Sequence, residues 1–333
     1  MVTTESATRP AVAHLLRTLP KVELHRHIED AAGEHRNAPV TAADYHALGY
    51  QALRASAAAG VVHTEFFLSP RLHLRRGVRP AVLWDGLTGG LRDAEADTGA
   101  RARIIVNVDR SAGSAAALDE LEQIRDRSGL LVGVGGDGPA REIDVASLVP
   151  AFRRAAARGL RRTLHAGELD SRSVADAVRY LGCERIDHGS LVVDDTRLMR
   201  QAADMGIGFT ACPTSSVAVS KVFGSVGGHT LRTMLRAGMR VTLGTDRPAR
   251  LGVDLADEYG AVLAAGLADP AGLRTLAVNG VDACWLPDRE RSALRRRVAE
   301  AWDAALPQLT PATPAPRRRR GPKARSRVLT ARG

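Results

Sequence analysis

The chain has 333 residues, of which 44% are hydrophobic and 25% are charged, with a formal net charge of +10. This composition is typical of a globular protein with a packed core, and the length favours one large domain, since barrels of alternating strands and helices need roughly 250 residues. No stretch approaches the ~20 apolar residues of a membrane span, and the amino terminus lacks the basic-then-apolar order of a signal peptide, so we expect a cytoplasmic protein.

Short apolar runs alternate with amphipathic stretches from residue 21 onward. We predict eight strands, near 21–26, 61–68, 102–108, 130–135, 161–165, 184–187, 207–212 and 239–245. The helices between them are predicted near 41–59, 79–98, 114–127, 145–158, 171–182, 194–205, 228–238 and 251–266. Eight such units predict a parallel sheet closed into a (β/α)8 TIM-type barrel, with extra carboxyl-terminal helices over 267–306.

The positive charge is concentrated at the carboxyl terminus. Eight basic and no acidic side chains lie between Arg317 and Gly333, so the rest of the chain carries only +2. The segment TPATPAPRRRRGPKARSR has almost nothing to bury, which predicts a disordered tail over 307–333 after a domain over 1–306. A solvated tail without a specific partner is favoured, with nucleic acid or an acidic partner as the alternative.

Polar side chains follow several of the predicted strands, where a β/α barrel places its active site. In VELHRHIED, His25 and His27 are two residues apart on one strand and therefore face the same side. The other candidates are His165 and Glu168 in RTLHAGE after strand five, His188 in RIDHGS after strand six, and Asp246 in VTLGTDRP after strand eight. Strands one and eight are neighbours in a closed barrel, which brings Asp246 toward the first two histidines.

These residues together indicate a catalytic metal site. Any one histidine alone is more often a packing or surface residue. Three imidazoles and one carboxylate, however, form a ligand set suited to zinc, with a position left for water. We therefore expect one zinc ion per chain, bound by His25, His27, His165 and Asp246.

The lysines and cysteines exclude other kinds of metal site. Barrel hydrolases with two metals use a carboxylated lysine as a bridge, and none of the three lysines ends a middle strand, which favours one metal; they are Lys21, Lys221 and Lys323. The three cysteines are widely separated, which predicts reduced thiols rather than disulfides. The PCxxC motif of the zinc deaminases that edit bases is absent.

The motifs LPKVELHRHIE, LHAGE, RIDHG, ACPTSS and TLGTDRP, in this order, resemble those of the adenosine deaminase family of metal-dependent barrel hydrolases. The resemblance spans about residues 19–290. It implies zinc at the four ligands named above and a reaction in which water replaces the 6-amino group of an adenine-type ring. The default substrate it implies is adenosine or deoxyadenosine.

The resemblance also implies roles for individual residues. Glu168 matches the glutamate that protonates ring nitrogen N1, and His188 matches the histidine that orients the attacking water. Asp246 would bind zinc and accept the proton of the water. Gly138 matches the glycine whose backbone N–H meets the purine, and Glu29 matches an acidic residue that contacts the ribose hydroxyls.

Three features depart from the family pattern. Arg247 replaces the aspartate that meets the purine N7, and a guanidinium only donates hydrogen bonds, so it would donate to N7 or pair with an anionic substrate. Asp30 replaces a glycine near the sugar site. Only about 34 residues separate His27 from the second strand, where the family has several helices over the pocket. A more open site would admit a larger substrate or reduce activity.

Three hypotheses follow. The first is a zinc-dependent deaminase of adenosine or deoxyadenosine. The second, motivated by Arg247 and the short segment after His27, is a deaminase of a modified, anionic or antibiotic-like adenine nucleoside. The third is an inactive nucleoside-binding relative with a nucleic-acid-binding tail, which retention of all six metal-binding and proton-transfer residues disfavours.

Overall fold

The computed structural model describes residues 5–32, 39–123, 128–138 and 145–310. Within these ranges eight parallel strands pair in chain order, from β1 to β8. The strands are β1 (Lys21–His27), β2 (Val61–Leu68), β3 (Arg101–Asp109), β4 (Leu131–Asp137), β5 (Arg161–Ala166), β6 (Arg185–His188), β7 (Gly208–Ala211) and β8 (Arg240–Leu243). The predicted (β/α)8 barrel is confirmed.

The barrel closes through the residues that follow β8. Asp246 forms a parallel bridge with Arg26 of β1. The amide of His27 donates to the carbonyl of Asp246, and the amide of Asp246 donates to the carbonyl of His25, both over 2.9 Å. Closure therefore places Asp246 directly beside the two histidines of β1.

Helices surround the barrel, and further helices precede the first strand and follow the last one. They are α1 (Glu5–Thr18), α2 (Ala42–Ala58), α3 (Pro70–Leu74), α4 (Pro80–Thr98), α5 (Ser114–Gln123), α6 (Val145–Ala157), α7 (Arg172–Asp176), α8 (Thr196–Asp204), α9 (Pro213–Ala218), α10 (Leu231–Arg236), α11 (Pro248–Leu251), α12 (Leu255–Ala264), α13 (Pro270–Ala283) and α14 (Asp288–Leu309). Single 3-10 turns lie at Ile28–Ala32, Ser190–Asp194 and Val226–Gly228, and a π-helical turn at Ala177–Leu181 continues α7. The hydrophobic core lies between the strands and this helical layer.

Two helical features differ from the prediction. Helix α1 was not predicted; it packs on α12, and Arg17 forms ion pairs with Asp254 and Asp257. Helix α14 continues to Leu309, three residues past the expected domain boundary at 306. It continues because the buried Leu309 still packs on the core. The predicted tail from residue 311 onward lies outside the described residues.

Neither a membrane span nor a disulfide is found in the part of the chain that the structure describes. No helix there is long and apolar enough to cross a bilayer. The three cysteines are buried and unpaired, as expected from their spacing.

Candidate active site

The four predicted metal ligands converge at the carboxyl end of the barrel. One ring nitrogen each of His25, His27 and His165 lies within 4.8 Å of the others. The Oδ1 atom of Asp246 is 3.3 Å from His27 Nε2 and 3.7 Å from His25 Nε2. All four side chains are buried. The structure thus brings together residues that are up to 221 positions apart in the chain.

The hydrogen bonds of these imidazoles leave acceptor atoms facing one another. His165 Nδ1 is 3.1 Å from the carbonyl oxygen of Gly136; a carbonyl only accepts, so Nδ1 carries the proton and Nε2 a lone pair. That Nε2 is 3.3 Å from His27 Nε2. His25 Nε2 is buried and has no hydrogen-bond partner within the described ranges. A cation would satisfy these converging atoms, so the residues present fit a metal with nitrogen and oxygen ligands.

Burial and neighbouring charges shift the pKa values of three of the four predicted ligands. Burial lowers the pKa of His25 well below the ordinary value, and His188 lowers that pKa further. Burial also lowers the pKa of His165, against the opposing effect of two nearby aspartates. For Asp246, burial raises the pKa, but the neighbouring histidines lower it more, to below its usual value. Neutral imidazoles and an ionised carboxylate are the forms that bind metals.

Two residues of the site have left-handed backbone conformations. The φ angles of His188 and Asp246 are 65° and 61°. Such angles are uncommon for residues with a side chain, cost of order 1–3 kcal/mol and are typical of functional sites. Ser215 of α9 donates a hydrogen bond to Asp246 Oδ2, which holds the carboxylate in place. The turns after β6 and β8 therefore aim both side chains into the barrel mouth.

Glu168 and His188 lie side by side at the rim of the cluster. They follow the neighbouring strands β5 and β6, and Glu168 Oε1 is 3.8 Å from His188 Nε2. Burial raises the pKa of Glu168, but His188, His165 and a hydrogen bond from Ser220 lower it more, to below the usual range. A carboxylate is therefore available beside the predicted metal ligands.

A cavity of about 790 Å³ opens above the cluster. Its lining includes every predicted site residue except His25, which lies below it: His27, Glu29, Gly138, His165, Glu168, His188, Asp246 and Arg247. Leu72 and Val219 stand at the rim with 58% and 37% of their surface exposed. This volume lies within the range of small-molecule binding sites.

Arg247 pairs with a carboxylate that the sequence interpretation missed. Its Nη2 is 3.8 Å from Asp137 Oδ2, and its Nε is 3.8 Å from Asp246 Oδ1. Asp137 ends β4 and lies 3.8 Å from His27 Nδ1. Burial raises the pKa of Asp137, but His165, His27 and the hydrogen bond from the Gly138 amide, together with Arg247, lower it far more. A guanidinium held between two carboxylates thus forms one wall of the cavity.

Glu29 and Asp30 have different surroundings. Glu29 lines the cavity, accepts a hydrogen bond from the Ser69 amide and lies 3.7 Å from His73 Nε2. Asp30 accepts from the amides of Ala249 and Arg250, over 2.5 and 3.2 Å, at the start of α11. The carboxylate of Asp30 therefore caps a helix, and the residue is absent from the lining of the cavity.

Sequence reasoning also missed Arg110. This buried side chain follows β3 and donates to the carbonyl oxygens of His165 and Gly138, over 2.5 and 2.7 Å. Gly138 has a φ of 141°, where a side chain is strained, and an added Cβ would lie 3.2 Å from Arg110 Cγ. Both Arg110 and Asp137 stand at a strand end, so the signal that identified the histidines could have found them.

Comparison with known proteins identifies the family. The family model for adenosine deaminase matches residues 33–301. The chain belongs to the adenosine deaminase family. It is 30% identical over 260 residues to an adenine deaminase of Rhodospirillum rubrum, covering 78% of each chain. It is 34% identical over 254 residues to an adenosine deaminase of Serratia proteamaculans, covering 75% of this chain and 76% of the relative.

Solved structures of the family have the same fold. An amidohydrolase from Burkholderia ambifaria with bound zinc superposes with a TM-score of 0.83 at 27% identity, covering 93% of this chain and 96% of that one. An adenine deaminase from Arthrobacter aurescens gives a TM-score of 0.81 at 25% identity, covering 86% and 100%. The chain is thus a hydrolytic deaminase of a family that depends on metals.

Proposed function

We propose that this deaminase hydrolyses the 6-amino group of a purine nucleoside, with adenosine or deoxyadenosine as the default substrate and inosine or deoxyinosine plus ammonia as products. One observation carries the proposal. Three imidazoles and Asp246 converge within metal-binding distance at the base of the cavity, with Glu168 and His188 adjoining them.

One zinc ion bound by His25, His27, His165 and Asp246 would lower the pKa of a water from ~15.7 toward ~7 and so supply the nucleophile at neutral pH. The Asp246 carboxylate, held by Ser215, is placed to take the proton that the water loses. His188 lies 3.8 Å from Glu168 and lowers the pKa of Asp246. In this proposal it orients the water toward the ring. Burial of these groups strengthens their electrostatic effect.

Glu168, once it has taken up a proton on substrate binding, delivers that proton to N1 as water attacks C6. Attack at C6 breaks the aromaticity of the ring, and protonation of N1 gives the electron pair a place to go. Glu168 lines the cavity and is positioned by Ser220 and His188. The proton that Asp246 took from the water passes to the amino group, the C–N bond breaks and ammonia leaves, while the hydroxyl proton at C6 returns to Glu168 as the carbonyl forms.

Gly138, Arg247 and Glu29 provide the substrate contacts in this proposal. Gly138 presents backbone where a side chain would be strained, which allows a flat ring to approach. The Arg247 guanidinium donates to the neutral N7, while Asp137 and Asp246 hold it in place. Glu29 lies across the cavity as an acceptor for sugar hydroxyls. The cavity of about 790 Å³ has room for a nucleoside rather than only a free base.

The test is ammonia release from adenosine, deoxyadenosine and adenine by the full-length, zinc-loaded protein. Glu168→Gln is the matched control: it should keep its zinc and lose about 10²- to 10⁴-fold in turnover, because the proton donor is gone. No ammonia from any of these substrates would exclude the proposal and favour an inactive nucleoside-binding relative. Loss of zinc in Glu168→Gln would contradict the role of that residue.

A second candidate is a deaminase of an anionic adenine nucleoside. Four arginines line the cavity: Arg71, Arg75, Arg247 and Arg250. Arg71 and Arg247 already lie against carboxylates, so the exposed Arg75 would meet the anionic group. Activity on nucleosides with and without a phosphate or carboxylate should be compared in the wild type and in Arg75→Gln. A preference for the anionic substrate that the variant loses would favour this candidate.

A further inference from the structure

The interior of the barrel directly below the metal ligands is polar. Branched apolar side chains normally fill this layer in such barrels. Here Thr163, Asp187 and Thr210, from the neighbouring strands β5, β6 and β7, are fully buried in it. A buried carboxylate is costly unless its oxygens are hydrogen-bonded, so its surroundings should be fully organised.

The carboxylate of Asp187 accepts one hydrogen bond on each oxygen. The hydroxyl of Thr163 donates to Oδ2 over 2.7 Å, and the hydroxyl of Thr210 donates to Oδ1 over 3.0 Å. A threonine hydroxyl has one proton, so Thr210 can only accept from its other neighbour. That neighbour is His25 Nδ1, at 2.9 Å. The chain of bonds therefore runs in one direction, from His25 through Thr210 to Asp187.

This direction determines the tautomer of His25. Because Thr210 accepts, His25 Nδ1 must donate, and the ring proton is kept away from Nε2. Nε2 is the buried atom without a hydrogen-bond partner among the described residues, and it faces Asp246. We propose that Asp187, acting through Thr210, is a positioning residue that holds His25 in the orientation and tautomer needed to bind the metal. This role depends on the proposed metal site.

A buried arginine lies beside Asp187 within the barrel. Arg185 Nε is 4.0 Å from Asp187 Oδ1, and Arg185 Nη1 donates to Glu65 Oε2 over 2.7 Å. The guanidinium also stacks on the ring of Trp285, 3.8 Å from its centroid. Two carboxylates and one guanidinium thus form a compact buried group. Its attachment to two strands, β2 and β6, restrains Asp187 beside Thr210.

Thr210 and Thr163 make a matched pair that separates positioning from mere cross-strand stabilisation. Each donates one hydrogen bond to Asp187, and both are fully buried. Only Thr210 also contacts His25. A purely structural role predicts equal effects of Thr210→Val and Thr163→Val, whereas the positioning role predicts that only the former weakens metal binding.

The experiment measures the zinc dissociation constant of the full-length protein by competition with a chromogenic chelator. We expect Thr210→Val to weaken zinc binding by about 10- to 100-fold, as is typical when a hydrogen-bond partner of a metal ligand is removed. The zinc dissociation constant of Thr163→Val should stay within about threefold of the wild-type value. Thr210→Ser, which keeps the hydroxyl, should bind zinc as tightly as the wild type. Equal affinities of the two valine variants would overturn the proposal, as would failure of Thr210→Ser to restore binding.

A second measurement tests the proposal even if Thr210→Val folds poorly. In the metal-free wild type, ¹⁵N NMR of the histidine rings should show His25 protonated at Nδ1, and Thr210→Ser should keep that tautomer. A predominantly Nε2-protonated His25 in the wild type would overturn the proposal. Neither readout requires turnover, so their failure differs from that of the proposed deamination: a wild type that binds zinc but releases no ammonia would refute the latter alone.

Discussion

Glu258 is expected to make the stability of the protein depend on pH. This glutamate of α12 is fully buried; Oε2 accepts a hydrogen bond of 3.4 Å from the Thr214 amide, and Oε1 has no partner among the described residues. Burial raises the pKa of Glu258 from 4.5 to about 7, despite the opposing bonds from Thr214. The folded protein therefore holds a proton that the unfolded chain has already lost over much of the physiological pH range.

The sign and size of the effect follow from this difference. Because the folded pKa is the higher one, the stabilising contribution of Glu258 is fully present below its unfolded pKa and is lost as pH rises through about 7. The total loss is about 3 kcal/mol at pH 8.5, most of which develops above pH 5. Glu258→Gln imitates the protonated form and removes this dependence.

Urea denaturation of the wild type and Glu258→Gln at pH 5 and pH 8.5 measures this pH dependence of stability. The free energy of unfolding of the variant, minus that of the wild type, should be about 2–3 kcal/mol larger at pH 8.5 than at pH 5, which corresponds to about 4 °C in Tm. The new amide can lack a partner, but that cost is the same at both pH values and cancels in the comparison. An equal difference at the two pH values would refute the reasoning.

Three other outcomes are expected. Arg247→Gln should lower kcat/KM for adenosine by about 10- to 100-fold and leave 7-deazaadenosine nearly unchanged, since one charged hydrogen bond to N7 is lost; an equal loss on both substrates would count against that contact. Asp30→Ala should destabilise the protein by about 1 kcal/mol in urea denaturation with an unchanged KM, because a helix cap is removed; a changed KM would place Asp30 in substrate binding. Zinc at 100 times the Kd of the wild type should stabilise the wild type by about 2.7 kcal/mol in thermal denaturation. A similar gain in His25→Ala at the same zinc concentration would exclude His25 as a ligand.

The barrel could be predicted from the sequence because its signals are local. Each strand is a short apolar run next to an amphipathic stretch, and these periodicities survive in any context. His25 and His27 face the same side of β1 because alternate residues of a strand must do so. Helix α1 was missed because a single amphipathic stretch does not show what it packs against; its partner α12 lies some 240 residues away along the chain.

The candidate site could be predicted only as far as strand ends reveal it. A polar residue after an apolar run marks the mouth of a barrel, which is how the predicted metal ligands, Glu168 and His188 were selected. The same rule does not say which neighbouring side chains will meet. That Asp137 holds Arg247, and that Asp30 caps α11 instead of lining the cavity, depends on the distances between turns that follow different strands.

The sequence by itself thus determined the fold and predicted a metal site at the strand ends, because strand periodicity and ligand type are properties of short segments. Only the tertiary structure decided the environment of each ligand. Thr210 reaches His25 because β7 and β1 flank β8 in the closed barrel, and Asp187 reaches Thr210 because β6 and β7 are paired in register. Register and closure are set by packing of the whole sheet, so no local pattern contains them.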